Sequence, residues 1–217
     1  MLLLQVRRMT GFSVRVLACA GVLALATAAA HASSVDLSTG LDATNTLITV
    51  GNTADGHWTV DQPLGGIAPA RVVTPGDVDW PGAWLANGPA SAWIAIDAST
   101  YQNAPVIPYT YYRTFTLTAA DLPTATISGF WGIDDGGEVK LNGTTISTSA
   151  GNYTVTVPFS VPTGSGLFVA GVNTLTITMT TSDNVWEAVR LEGALAGVSE
   201  TVGTSSAAWS AIKRLYQ

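Results

Sequence analysis

The clearest pattern in the chain is an alternation of apolar and polar positions between Tyr109 and Leu117. Tyr109, Tyr111, Arg113, Phe115 and Leu117 fall on one face, and Thr110, Tyr112, Thr114 and Thr116 on the other. A period of two is that of a half-buried strand. Arg113, on the otherwise apolar face, needs a carboxylate or a place at the sheet edge. Thr174 to Thr180 repeats the pattern, with Leu175, Ile177 and Met179 inward and threonines outward. Trp93 to Ile96 is apolar on both faces, as in a strand covered on both sides. Shorter strands are predicted at Thr46–Val50, His57–Val60, Ala125–Ile133, Tyr153–Val157 and Val185–Gly193, the last bringing Trp186, Ala188 and Arg190 to one face. Glu138–Leu141 and Thr144–Ser147 flank Asn142-Gly143, the favoured pair for a type I′ hairpin turn because both residues accept positive φ. Gly136-Gly137 separates this hairpin from the strand before it, and Pro158 and Pro162 frame a loop or edge segment. Strands this short, divided by turn residues, predict an all-β antiparallel sandwich over residues 33–198.

The two ends follow other rules. Arg7, Arg8 and Arg15 precede an apolar run from Val16 to Ala30, and Ala30-His31-Ala32 supplies small residues where a signal peptidase reads. Residues 1–32 are therefore expected to be a signal peptide cleaved before Ser33, since the run is short for a membrane span. Arg7-Arg8 has the form of a twin-arginine start, but Met9-Thr10-Gly11 continues it poorly. Cys19 lies too early in the apolar run to be a lipoprotein cysteine. Residues 199–217 read as a polar linker followed by a short amphipathic helix from Ala207 to Tyr216, with Trp209, Ile212, Leu215 and Tyr216 on one side. That helix either docks on the sandwich or offers a contact to a protein partner.

Cleavage changes the charge and the chemistry. Three of the nine Lys and Arg leave with the leader, so six basic residues face fifteen acids and the formal charge becomes −9. An acidic surface argues against nucleic acid and anionic membrane as partners. The only cysteine, Cys19, also leaves, and His57 remains as the single histidine. A zinc site of several His or Cys ligands cannot be built from that inventory. A Ser-His-Asp or Cys-His hydrolase would have to use His57. Carboxylate chemistry stays open.

From Tyr111 to Leu191 the chain resembles the galactose-binding-like jelly-roll sandwiches, including sugar-binding domains appended to glycoside hydrolases. The resemblance is carried by Arg113-Thr114-Phe115, by Trp131-Gly132-Ile133-Asp134-Asp135, by Asn142-Gly143 and by Gly171-Val172-Asn173-Thr174-Leu175, in that order. The upstream part, through Ser38-Thr39-Gly40-Leu41-Asp42, Asp55–Val60 and Ser91-Ala92-Trp93-Ile94, is similar to exported surface proteins of the PEP-CTERM/exosortase type. The Pro-Glu-Pro sorting signal of that group is missing here. The resemblance implies a jelly roll and a non-catalytic role.

Two groups of residues are candidates for binding. Trp80 and Trp84 lie in a Pro/Gly-rich loop with Asp77, Asp79 and Asn87, and such a loop can stack a sugar ring on an aromatic face while polar groups hold its hydroxyls. The competing reading is core packing, expected for Trp58, Trp93 and Trp131. Asp134-Asp135 ahead of Gly136-Gly137 forms the second group. Adjacent carboxylates suit a calcium ion, a turn, or, for Asp134, a pairing with Arg113. The Asn142-Gly143-Thr144 and Asn152-Tyr153-Thr154 sequons carry little weight in a chain of bacterial type. The expectation is a secreted, non-catalytic module at the cell surface, in the extracellular matrix or in the periplasm, binding a glycan or surface polysaccharide. A structural subunit of a surface layer or matrix is the alternative, and a carboxylate-based glycan hydrolase or lyase the third.

Overall fold

In the computed structural model the chain is described at residues 32–62, 66–98, 108–180 and 185–199. The expected signal peptide up to His31 and the expected C-terminal helix lie outside these residues. Eleven strands form: β1 (Ala32–Asp36), β2 (Ala54–Gln62), β3 (Gly66–Val73), β4 (Trp93–Ala95), β5 (Tyr109–Leu117), β6 (Thr126–Asp134), β7 (Gly136–Leu141), β8 (Thr144–Ser149), β9 (Val157–Val161), β10 (Gly171–Thr180) and β11 (Ala188–Ser199). No helix occurs among the described residues.

Every pairing is antiparallel, and ten strands follow one another in the order β8-β7-β10-β5-β2-β3-β4-β11-β6-β9, with β1 alongside β11. The edge strands β8 and β9 approach each other, so the sheet nearly closes on itself as a barrel-like sandwich. β3 makes the fold possible by serving both halves. Its first residues pair with β2, and Arg71–Val73 pair with β4. β6 and β7 are separated by Asp135 alone, yet they pair with different neighbours, β11 and β9 in one case and β10 and β8 in the other. Asp134-Asp135 is thus a corner between the two halves.

The alternations read from the sequence orient the core. Tyr109, Tyr111, Phe115 and Leu117 of β5 are buried with Leu175, Ile177 and Met179 of β10, and Trp58 and Trp131 join them. Each large apolar side chain withdrawn from water contributes roughly 1.5–3 kcal/mol. A second, smaller core holds Val73, Trp84, Trp93, Ala95 and Ala188, with Trp80 packed against it. The hairpin turn is formed as expected, with φ of +50° at Asn142 and +84° at Gly143.

Three expectations are corrected. Thr46–Val50 is no strand; it sits in a loop closed by one bridge, Leu41 to Leu47. The strand expected at Tyr153–Val157 lies later, at Val157–Val161, and runs through Pro158 because β9 is an edge strand with β6 as its only ladder partner. Arg113 does not pair with Asp134. Its Nη2 donates to the Asp36 carbonyl at 3.1 Å, with the Asp55 and Asp36 carboxylates opposing the effect of its burial.

Candidate functional site

The tryptophan loop between β3 and β4 is fastened down by several side-chain hydrogen bonds. The Asp77 Oδ2 accepts the Thr74 N–H at 2.6 Å and its hydroxyl at 3.2 Å, closing a turn. Asn87 donates from Nδ2 to the Val73 carbonyl and accepts the Trp93 N–H on Oδ1, both at 2.8 Å. Trp93 Nε1 donates to the Leu85 carbonyl at 2.7 Å. Trp84 lies tilted over Trp93 with ring centroids 4.7 Å apart, and Trp80 meets Trp84 edge-on at 5.6 Å. The structure does bring the five residues into one loop. It does not present the solvent-facing tryptophan pair expected there, because Trp84 is only 5% exposed and Trp80 is half-buried against the small core. Asp79, also half-buried, stands beside the fully exposed Val78. Asp77 and Asn87 spend their hydrogen bonds on the loop itself.

Asp134, expected as a metal ligand or as the partner of Arg113, has a different neighbour. Its Oδ2 accepts the Trp84 indole N–H at 2.8 Å, across 50 residues of sequence. Asp135 occupies the corner between β6 and β7, where its carbonyl lies 2.2 Å from the place a Cβ on Gly151 would take. Gly151 keeps that approach open at φ +110°. Among the described residues no three His, Cys, Asp or Glu side chains converge as ligands to one metal ion. The calcium reading of Asp134 and Asp135 therefore gains nothing from this geometry, and Asp134 serves to seat a tryptophan.

His57, the one histidine of the described residues, has a buried Nε2 with no hydrogen-bond partner. Burial lowers its pKa, the nearby Arg113 charge adds to this, and Asp55 opposes both. Among the described residues no hydroxyl stands on Nε2.

A different surface has the makings of a site. In β6, Ile127, Trp131 and Ile133 point inward, which turns Ser128 and Phe130 outward. Phe130 is 53% exposed. One exposed aromatic is ordinary on a protein surface; the neighbours of Phe130 set it apart. It lies directly opposite Pro158 of β9 on one side and Glu192 of β11 on the other. Ser34 and Asp36 from β1 and Asn45 from the following loop complete a concavity of about 690 Å³. That volume is within the range of roughly 300–1,000 Å³ usual for small-molecule sites. Beyond Phe130, a smaller cavity of about 210 Å³ opens between Leu85, Thr156, Arg190 and Glu192.

Glu192 is held in place rather than free to swing. Its Oε2 accepts the Ser91 hydroxyl at 3.1 Å and faces Arg190 Nη2 at 3.6 Å. Arg190, nearly buried, donates from Nε to Ser91 Oγ at 2.8 Å and from Nη1 to the Ala86 carbonyl at 2.6 Å. Burial pulls its pKa down and Glu192 pulls it back. Arg190 therefore ties the tryptophan loop to the sheet and orients the carboxylate of the concavity. A preorganised carboxylate beside an exposed aromatic ring can accept hydroxyl hydrogen bonds while the ring packs against C–H groups. Sequence reasoning passed over Phe130 and Glu192. The available signal was the dipeptide Phe130-Trp131: on a strand the two rings must face opposite ways, so one of them is left outside the core.

Comparison with models of known protein families and with curated protein sequences finds no match. Among solved structures the chain is similar to parts of several glycosidases. An FMN-binding β-glucuronidase from Facaelibacterium prausnitzii L2-6 aligns at 17% identity and a TM-score of 0.39, over 77% of this chain and 23% of the enzyme. A β-D-mannosidase from Dictyoglomus thermophilum aligns at 18% identity and a TM-score of 0.38, over 69% of this chain and 16% of the enzyme. A β-glucuronidase from Ruminococcus gnavus aligns at 12% identity and a TM-score of 0.40, over 76% of this chain and 28% of the enzyme. The chain spans less than a third of the length of each.

Proposed function

We propose that the protein is an exported, non-catalytic carbohydrate-binding module of galactose-binding-like jelly-roll type, and that its ligand lies on the Phe130 face. The observation that carries the reading is the setting of Phe130. A half-exposed aromatic ring stands in a concavity lined by Asp36, Asn45, Ser128 and an oriented Glu192. Rings of this kind offer apolar area to the C–H faces of a sugar, and the surrounding oxygens and amide offer partners to its hydroxyls.

A glycan array followed by calorimetry tests the reading. Phe130→Ala should weaken binding by roughly tenfold or more, the loss of a central aromatic anchor. Trp80→Ala should leave affinity unchanged, because Trp80 packs against Trp84 and lines neither cavity. Absence of binding to every glycan on the array sinks the proposal.

A further inference from the structure

The two cavities at the candidate site share two residues, Phe130 and Glu192. One extends from Phe130 toward Ser34, Asp36 and Asn45, and the other toward Leu85 and Thr156. Phe130 therefore stands between two adjoining depressions, one on each side of its ring. Polar groups occur on both sides of the ring: Asp36 and Asn45 on one, Thr156 and Arg190 on the other.

The charge of the groove narrows the ligand further. Its charged residues are Asp36, Glu192 and Arg190. The Glu192 side chain is 45% exposed, whereas that of Arg190 is 8% exposed and its donors are directed to Ser91 and Ala86. A ligand thus meets negative charge, on a chain whose formal net charge is already −6. Uronate or sulfate groups would be set against like charge, which costs affinity and serves as exclusion.

Building on the carbohydrate reading above, we infer that the groove takes the interior of a linear polysaccharide without acidic groups, with sugar units on both sides of Phe130. Titration calorimetry on the full chain tests this with chito- and cello-oligosaccharides, each from dimer to hexamer, and with oligogalacturonates as the anionic comparison. Affinity should rise about tenfold from the dimer to the longer oligomers in a neutral series, and oligogalacturonates should bind about tenfold more weakly or not at all. Thr156→Trp, which fills the smaller cavity, should abolish the gain with length while leaving dimer affinity intact. Length-independent binding that is still lost in Phe130→Ala overturns this inference and leaves the carbohydrate reading standing. Equal or tighter binding of oligogalacturonates overturns it too. If no saccharide of any kind binds, both fall together.

Discussion

Asp134 shows how a single side chain takes its role from contacts that sequence proximity does not reveal. Beside Asp135 and two glycines it reads as a turn or a cation ligand, yet its carboxylate receives the indole N–H of Trp84. Both groups are buried, so removing the acceptor leaves an orphaned donor in a small apolar core. Asp134→Ala should therefore lower stability by about 2 kcal/mol, within the usual cost of a buried unsatisfied N–H. Asp134→Asn keeps an acceptor oxygen and should lose clearly less. Urea denaturation followed by tryptophan fluorescence measures both, and equal losses would show that the hydrogen bond is unimportant. Distance in sequence also hides how far the tryptophans of this loop are covered. Trp80 and Trp84 have the composition of a sugar platform, but exposure is decided by what packs over a ring, and here Trp93 covers Trp84 while Asp134, 50 residues away, holds its indole N–H.

At the scale of elements, what was legible were the segments whose pattern is local. The β5 and β10 faces, the β4 run and the Asn142-Gly143 hairpin appear where alternation and turn chemistry put them. The resemblance motifs turn out to be fold-making contacts: Asn142 donates to the Asn173 Oδ1 at 2.8 Å and accepts the Thr174 N–H at 2.9 Å. Asn173, fully buried, also bonds the backbone of Val169 and Gly171. Illegible were β3, with its proline and glycine, and β9, with Pro158 inside it, since both depend on which neighbours complete their ladders. The candidate groove was illegible for the same reason, as it gathers β1, β6, β9, β11 and the tryptophan loop. One glycine connects these elements. A Cβ on Gly88 would lie 2.1 Å from Arg190 Nη2. Gly88→Ala should displace the guanidinium from Ala86 and release Glu192, at a cost of roughly 1–3 kcal/mol and with weaker glycan binding. Gly82→Ala, in the same loop with open space around it, should change neither thermal stability nor affinity; a matching loss there would remove Arg190 from the explanation.

Across the whole molecule, the sandwich is closed by contacts between distant parts of the chain. Asp121 is one of the fasteners: its carboxylate accepts the Thr118 hydroxyl and N–H at 2.6 and 2.7 Å and the Ser199 N–H at 2.7 Å. These bonds, led by the Thr118 hydroxyl, hold its pKa well below the usual carboxylate range. A depressed folded-state pKa contributes stability that is complete above the unfolded value of about 3.9 and is lost as pH falls through the folded value. The stability gap between the parent and Asp121→Asn should accordingly be constant at neutral pH and shrink below about pH 4 in chemical denaturation series. A gap independent of pH would show that the carboxylate charge is not what matters. The other closure is β1 against β11, where Ala32 pairs with Ser199 at one end and Asp36 with Ala194 at the other. The described domain is therefore entered and left at adjacent points of one antiparallel pair. Tension applied through those two points loads the ladder one rung at a time, so β1 peels away like a zip instead of sliding against its neighbour. The strand that comes off first carries Ser34 and Asp36, which form one wall of the groove. Under mechanical load the wall of the proposed binding groove would be lost before the core gives way.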